Sequence, residues 1–193
     1  MLWLAWLVWL PVCIAAGAAR AAAPEPLRLD AALGSQDAWP HVRVLVDADP
    51  AWSAEQVLRR LSGFSRHEGP AANLGSQPGV VWLHLQVQAP AEGARTWLLD
   101  IDNPALDRVQ VVQVHRGQRL SQALLGDTVP PTDRANAHRT LAVPLALPAG
   151  QVADVLVSVQ SIGTLMLPMV LVQPDALQAR ESRVQALQGL LAG

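Results

Sequence analysis

A stretch near the middle of the chain carries an indole, an imidazole and an amide at alternate positions. Trp82, His84 and Gln86 alternate with apolar residues over Val80–Gln88. A period of two is typical of a strand, so these three side chains should share one face of a sheet. Sugar-binding surfaces use such groups, because apolar C–H surface stacks on the ring while hydroxyls meet the polar side chains. The alternative is that Trp82 is ordinary core, since most tryptophans are largely buried.

A second candidate lies in a long polar connection over residues 121–137, which is rich in turn residues. A connection of this length in a compact domain is usually functional or mobile. Its Arg134 is suited to clamp an anionic or hydroxylated ligand through the guanidinium group. The alternative role for Arg134 is structural, as a donor to carbonyl groups of the loop.

Catalytic and metal-binding patterns are weak. The five histidines have no metal-ligand spacing, and Asp100–Asn103 resembles a calcium loop that lacks its later Gly and Glu. Asp100, Asp102 and Asp107 are a candidate carboxylate cluster for glycoside hydrolysis, but a solvated strand rim carries such residues equally well. We therefore predict no catalytic residue, no metal site and no cofactor. The enzymatic alternative is a secreted hydrolase that uses Asp100 or Asp102 with His115.

Positioning these side chains requires a sheet, and the chain predicts an all-β domain over residues 27–174. Two apolar runs of period two flank Pro90 and Gly93, which predicts a central hairpin over Val80–Ile101. Pro144 indicates an edge strand or a bulge. Ser53 precedes the one predicted short helix as its cap. Further strands are predicted near residues 27–30, 39–47, 107–115 and 141–147, with a second hairpin over 153–172.

The two ends differ from this domain. Residues 1–21 are almost wholly apolar and end in small residues, which predicts a secretory signal peptide. An uncleaved membrane anchor is the alternative for that segment. Residues 22–26 are a short linker. Residues 175–193 predict a C-terminal helix that is too short for a membrane span and is either a docking helix or the truncated start of a first transmembrane helix.

Composition excludes several classes of function. The formal net charge is −2, so no electrostatic footprint indicates a nucleic-acid partner. The one cysteine, Cys13, lies in the leading apolar segment. A mature domain without it has no disulfide, no thiolate metal site and no cysteine nucleophile.

Several short motifs follow one another in a set order. They are Trp39, the turn and helix of Asp49–Leu61, Phe64, Asn73 with Gly75, Val81-Trp82-Leu83, Trp97-Leu98-Leu99, the strand from Leu106-Asp107 to Val114, Gly126-Asp127 with Arg134, Pro144-Leu145, and Val159-Gln160-Ser161 through Leu167-Pro168. In this order, residues 27–174 resemble the type-two extracellular domain of the 7TMR-DISM receptors. These are bacterial seven-transmembrane receptors with diverse intracellular signalling modules.

The resemblance implies a jelly-roll β-sandwich of about eight strands, similar to carbohydrate-binding modules, with one short helix and a C-terminal helical tail. It also implies a sensor without enzymatic activity on the periplasmic side of the inner membrane, exported by the signal peptide. Its expected ligand is a carbohydrate-like small molecule. The expected ligand-binding residues are Trp82, His84, Gln86, Asp127 and Arg134.

The resemblance further implies partners. In such receptors seven membrane helices and an output module, a histidine kinase or a diguanylate cyclase, follow the domain. The chain therefore resembles a receptor fragment whose contact with the membrane runs through helices beyond its C-terminal end, and a receptor dimer is a further expectation. A structural or adhesive envelope β-sandwich remains the non-sensory alternative.

Overall fold

The computed structural model describes residues 25–92, 96–130, 132 and 140–192, which form a β-sandwich with two α-helices. The predicted signal peptide and Arg134 lie outside the described residues. The strands are β1 (Leu27–Arg28), β2 (Ser35–Asp37), β3 (Arg43–Ala48), β4 (Asn73–Ser76), β5 (Val80–Gln88), β6 (Trp97–Ile101), β7 (Arg108–His115), β8 (Gln118–Leu125), β9 (Leu141–Leu145), β10 (Val152–Gln160), β11 (Thr164–Met166) and β12 (Met169–Val172). The helices are α1 (Ala54–Leu58) and α2 (Pro174–Ala192).

Strand β5 is central to the larger sheet, whose order is β1-β5-β10-β7-β8. Strand β3 also pairs with β5. The parallel partner β1 pairs with Val87 and Gln88 at the end of β5, and the antiparallel partner β3 pairs with its beginning. Strand β10 pairs with β5 antiparallel from Val81 to Gln88. Both edges of β5 are therefore occupied within this sheet.

The predicted hairpin over Val80–Ile101 is wrong in its pairing. Its second strand, β6, belongs to a smaller antiparallel sheet of order β2-β12-β6-β9. The second predicted hairpin is wrong for the same reason, because β10 lies in the large sheet and β12 in the small one, while β11 pairs with β4. A period of two identifies the buried side chains of a strand but not the strand that it hydrogen-bonds.

The core lies between the two main sheets. Alternate side chains of β5 and of β6 contribute to one buried cluster, and each of these is at most 1% exposed. They are Val81, Leu83, Leu85 and Val87 from β5 and Trp97, Leu99 and Ile101 from β6. The alternation predicted for both strands is thus confirmed, and it closes two sheets over a shared apolar interior.

The predicted all-β sandwich is confirmed, although the prediction of about eight strands is too low. The described residues contain twelve strands, and several of them are only two to four residues long. Strand β8 also occupies the beginning of the connection predicted over residues 121–137. The sequence analysis missed β8 because this strand lies at the sheet edge and has too few buried residues to show an apolar alternation. Only Ala123 and Leu125 of β8 are buried.

Two helical segments cover the outer faces of the sheets. The Ser53 hydroxyl accepts a hydrogen bond from Gln56 N–H, and the Gln56 side chain accepts one from Ser53 N–H, so the predicted capping box is confirmed. Helix α1 packs on the large sheet through Val57. Helix α2 packs on the small sheet through Leu177. These covers determine which parts of the outer faces a ligand can reach.

Candidate functional site

The predicted ligand-binding face of β5 is the outer face of the large sheet, and α1 covers part of it. Trp82 is 3% exposed and belongs to a buried cluster with Val57, Phe64 and Leu156. Its indole N–H has no hydrogen-bond partner among the described residues. Trp82 therefore has the position of the core alternative, and a role for it in ligand binding stays a prediction.

His84 and Gln86 meet a carboxylate that the sequence analysis did not single out. Asp154 lies on the neighbouring strand β10, where its Oδ1 is 2.9 Å from His84 Nε2 and accepts a hydrogen bond of 3.0 Å from Gln86 Nε2. The His84 and Phe64 rings pack in a T-shaped arrangement at a centroid distance of 5.9 Å. Because the Asp154 side chain is 26% exposed while that of His84 is 2% exposed, solvent reaches this cluster through the carboxylate.

The carboxylate of Asp154 is held in its charged form. Burial by itself would raise its pKa, but hydrogen bonds from His84 and Gln86, with the charges of His84 and His115, lower the pKa below its ordinary value. His115 is fixed nearby, with Nδ1 3.0 Å from the carbonyl oxygen of Val152 on β10. Asp154 is the one charged residue of β10, and this feature of the sequence could have singled it out. Its partners could not be predicted, because they depend on which strand pairs with β10.

The structure does not gather all five predicted ligand-binding residues. Asp127 follows Gly126 after β8, and its backbone N–H donates to the carbonyl oxygen of Leu106 at 2.9 Å. Gly126 has φ of 122°, and a Cβ there would lie 2.2 Å from the carbonyl oxygen of Asp107, so only glycine fits this turn. Among the described residues, the hydrogen bonds of the His84 and Gln86 side chains are with Asp154, Arg134 lies outside these residues, and a ligand-binding role for Asp127 or Arg134 stays a prediction.

The residues of the hydrolase alternative take part in separate interactions. Asp100 is fully buried in the small sheet, where Oδ2 binds the guanidinium group of Arg180 on α2. His115 is in the large sheet and bonds Val152. Within the described ranges, no group of three or more His, Cys, Asp or Glu side chains has an arrangement that could hold a metal ion.

One cavity, which we call the Trp39 cavity, has a volume of about 230 Å³. It is lined by Asp37, Trp39, Pro40, Arg66, His67, Gly69 and Ala71. The Trp39 and His67 rings are tilted by 57° with centroids 6.3 Å apart. The Trp39 indole N–H donates to the carbonyl oxygen of Leu167, and Asp37 Oδ1 accepts from Trp39 N–H at 3.0 Å. These contacts hold the indole in place at the cavity wall.

The Trp39 cavity also contains a polar atom that needs a partner. His67 Nε2 is buried and has no hydrogen-bond partner among the described residues. A Cβ at position 69 would lie 2.5 Å from this nitrogen, so Gly69 makes room for the imidazole. An indole, an imidazole, a guanidinium group and a carboxylate around one concavity can bind a small hydroxylated molecule. Sequence reasoning missed this site because it depends on loop residues 66–71 returning to Trp39.

A second cavity, which we call the α2 cavity, has a volume of about 170 Å³ and lies between α2 and the small sheet. It is lined by Asp102, Thr140, Arg180, Glu181, Val184 and Gln185. Thr140 Oγ1 and Glu181 Oε1 are buried without a hydrogen-bond partner in the described part of the chain. None of the predicted ligand-binding residues lines it, although Asp102 belongs to the hydrolase alternative.

Comparison with known proteins found one matching family model. The family model for 7TMR-DISM extracellular 2 matches residues 39–173. No match was found among curated proteins. Across the described residues, no helix has both the length and the apolar character needed to cross a bilayer.

Two kinds of solved structure are similar to this chain. β-Glucuronidase from Ruminococcus gnavus, in complex with N1-substituted uronic isofagomine, is 14% identical over 72% of this chain with a TM-score of 0.40. This chain spans only 30% of that enzyme's length. TmCBM61 in complex with β-1,4-galactotriose is 14% identical, with a TM-score of 0.29 and coverage of 72% of this chain and 82% of that one.

Proposed function

Because the chain belongs to the 7TMR-DISM extracellular 2 family, we propose that it senses a carbohydrate-like small molecule for a bacterial membrane receptor. The observation that carries this proposal is the family match over residues 39–173, which includes most strands of both main sheets and most of the core between them. Membership in a family of extracellular domains places the domain outside the cytoplasm. We assign it to the periplasmic side of the inner membrane, and we propose no catalytic role.

The Trp39 cavity is the best candidate for the ligand site. Neutral sugars need an apolar wall and hydrogen-bonding groups that converge on one point. Trp39 supplies the wall, and Asp37, Arg66 and His67 supply donors and acceptors. The unpartnered His67 Nε2 supports this choice, because a buried polar atom without a partner is costly unless a ligand or water completes it.

The predicted site at Trp82, His84, Gln86, Asp127 and Arg134 remains as a competitor. Within it, Gln86 is the residue best suited to a test, because it is half-buried and its amide donates only to Asp154 among the described contacts. A ligand there would meet the exposed part of the Asp154 carboxylate. The two sites can be separated by substitutions, since they share no residue.

Isothermal titration of the full chain with a panel of neutral, acidic and amino sugars tests this proposal. We expect at least one sugar to bind, and His67→Ala to weaken its binding about tenfold, because it removes a hydrogen-bonding group worth about 1–3 kcal/mol. Gln86→Ala should bind as the wild type does. The opposite pattern would move the site to the outer face of the large sheet, and the absence of binding by every sugar would exclude a carbohydrate ligand.

Signalling in this proposal requires a membrane-spanning module and an output module. Helix α2 begins at Pro174, directly after the last residue of the family match, and is the segment that would connect the sandwich to that module. A receptor dimer is the expected assembly. This arrangement predicts that the domain co-purifies with a membrane protein. It also predicts that deletion of residues 174–192, which form α2, abolishes the co-purification.

A further inference from the structure

Helix α2 has two kinds of contact with the small sheet. Its first turn packs through Leu177, which is 2% exposed and clusters with Ala142 and Val172 of the sheet. One turn later the contact becomes polar, where Arg180 binds the buried carboxylate of Asp100. The α2 cavity lies beside this ion pair. Its wall therefore consists of sheet residues on one side and helix residues on the other.

The sheet side of the α2 cavity is built by the ends of two paired strands. Ile101, the last residue of β6, pairs with Leu141, the first residue of β9. Asp102 directly follows β6 and Thr140 directly precedes β9, and both line the cavity. The helix side consists of Arg180, Glu181, Val184 and Gln185. A molecule in this cavity would touch both elements at once.

Buried polar atoms at this place have no partner among the described residues. Thr140 is 7% exposed, lines the cavity, and its hydroxyl oxygen has no hydrogen bond. Glu181, which also lines the cavity, has a buried Oε1 without a hydrogen bond. Asp100, which does not line the cavity but binds Arg180 beside it, has an unpartnered Oδ1 and is fully buried. Buried polar atoms in proteins are nearly always hydrogen-bonded, so these three atoms indicate missing hydrogen-bond partners. Two of them are carboxylate oxygens, which can only accept.

The charges identify the kind of donor. Arg180 is engaged by Asp100, whereas the described residues give Asp102 and Glu181 no cationic partner. Their carboxylates favour a positively charged group with several N–H donors. An ammonium group is a compact charge that supplies three such donors. Val184 adds an apolar contact for an alkyl chain.

From these observations we infer that the α2 cavity binds a short aliphatic amine. At about 170 Å³ the cavity is similar in size to one of about 150 Å³ that accepts benzene, so about six non-hydrogen atoms fit. An ammonium group would bond the Asp102 and Glu181 carboxylates and the Thr140 hydroxyl. The occupant would then bridge the sandwich and α2.

Binding should strengthen the docking of α2. A ligand that contacts both the sheet and the helix binds the docked state more tightly than the undocked one, so occupancy shifts the equilibrium toward docking. This second site goes beyond the proposed sugar sensing and does not depend on it. If the domain joins the membrane through α2, the amine would act on the connecting segment itself.

The test uses the purified full chain with 1,4-diaminobutane as probe and 1,4-butanediol as the uncharged analogue, at constant ionic strength. Titration calorimetry measures binding, and amide hydrogen exchange over residues 174–192 measures docking of α2. We expect the diamine to bind and to slow exchange in α2, and the diol to do neither. Equal effects of the two compounds, or no effect of the diamine, would overturn the inference.

Substitutions locate the site. Glu181→Gln should weaken diamine binding about tenfold or more, because it removes a carboxylate with a buried oxygen. Asp102→Asn should weaken binding less, by about two- to fivefold, because Asp102 is exposed. Arg183→Gln, an exposed change on the same helix, should leave binding within about twofold of the wild type. Retention of full affinity by both carboxylate variants would place the amine elsewhere. His67→Ala should not affect the diamine, which separates this result from the sugar titration.

Discussion

At the scale of single residues, His84, Gln86 and Asp154 form a hydrogen-bonded cluster on the outer face of the large sheet. His84 is 1% exposed, yet its ring nitrogen reaches a carboxylate that solvent also reaches. A buried imidazole needs such a partner, because an unpaired polar group in the interior costs about 1–3 kcal/mol. The cluster is therefore a structural requirement of this face, whatever ligand it meets.

The lowered pKa of Asp154 makes part of the stability acid-sensitive. A depressed folded-state pKa stabilises the fold fully above the unfolded-state pKa of about 3.9, and this contribution is lost as pH falls through the folded-state pKa. We expect Asp154→Asn to lower the free energy of unfolding by about 1 kcal/mol at pH 7, since a neutral hydrogen bond replaces a charged one.

Urea denaturation at several pH values checks this prediction. Below about pH 3.9 the variant should lose less stability per pH unit than the wild type. Glu92→Gln is the control, because Glu92 is exposed and makes none of these contacts. A variant whose pH dependence equals that of the wild type would show that Asp154 is not held in its charged form.

At the scale of elements, α1 is a short cover over a buried tryptophan. A helix of five residues is too short to be stable alone, so its cap and its packing must hold it. Val57 supplies the packing against the cluster that contains Trp82. Ser53 supplies the cap. The pKa of Glu55 is lowered, first by the hydrogen bond from its own backbone N–H and second by a hydrogen bond from the Ser53 side chain.

Ser53→Ala should lower the free energy of unfolding by about 1 kcal/mol, the usual cost of losing a serine cap. Ser62→Ala is a matched control at an exposed position in the following 3₁₀ turn, Leu61–Gly63. Chemical denaturation followed by tryptophan fluorescence measures both variants. Equal stability of Ser53→Ala and the wild type would mean that packing alone holds α1.

At the scale of the whole molecule, the large sheet has buried clusters on both of its faces. Its inner face closes on the small sheet through the main core, and its outer face carries a second cluster beneath α1. The small sheet has its own cover in α2. The Trp39 cavity lies at loop residues beside Trp39, and the α2 cavity lies at the boundary between α2 and the small sheet.

This architecture predicts a large cost for removing a central side chain. Leu83→Ala should destabilise the fold by about 2–5 kcal/mol, because Leu83 is fully buried between the sheets and the substitution leaves a cavity. Leu120→Ala, at a position 39% exposed on β8, should change stability by less than about 0.5 kcal/mol. Thermal unfolding of both variants measures the difference, and equal losses would contradict a core centred on β5.

The sequence by itself determined the fold class, the buried faces of β5 and β6, the cap at Ser53 and the edge position of Pro144. It could do so because alternation, capping and the missing proline N–H are local properties. It also carried the family resemblance, which depends on the order of motifs along the chain and which the family match confirms.

Only the tertiary structure decided strand pairing, the burial of Trp82, and the partners of His84 and Asp100. Alternation looks the same whether β6 pairs with β5 or faces it across the core, and a tryptophan on an outer face is exposed or buried according to what folds over it. Both cavities join residues far apart in the chain, such as Trp39 with His67 and Thr140 with Glu181. Long-range packing, which no local pattern encodes, brings them together.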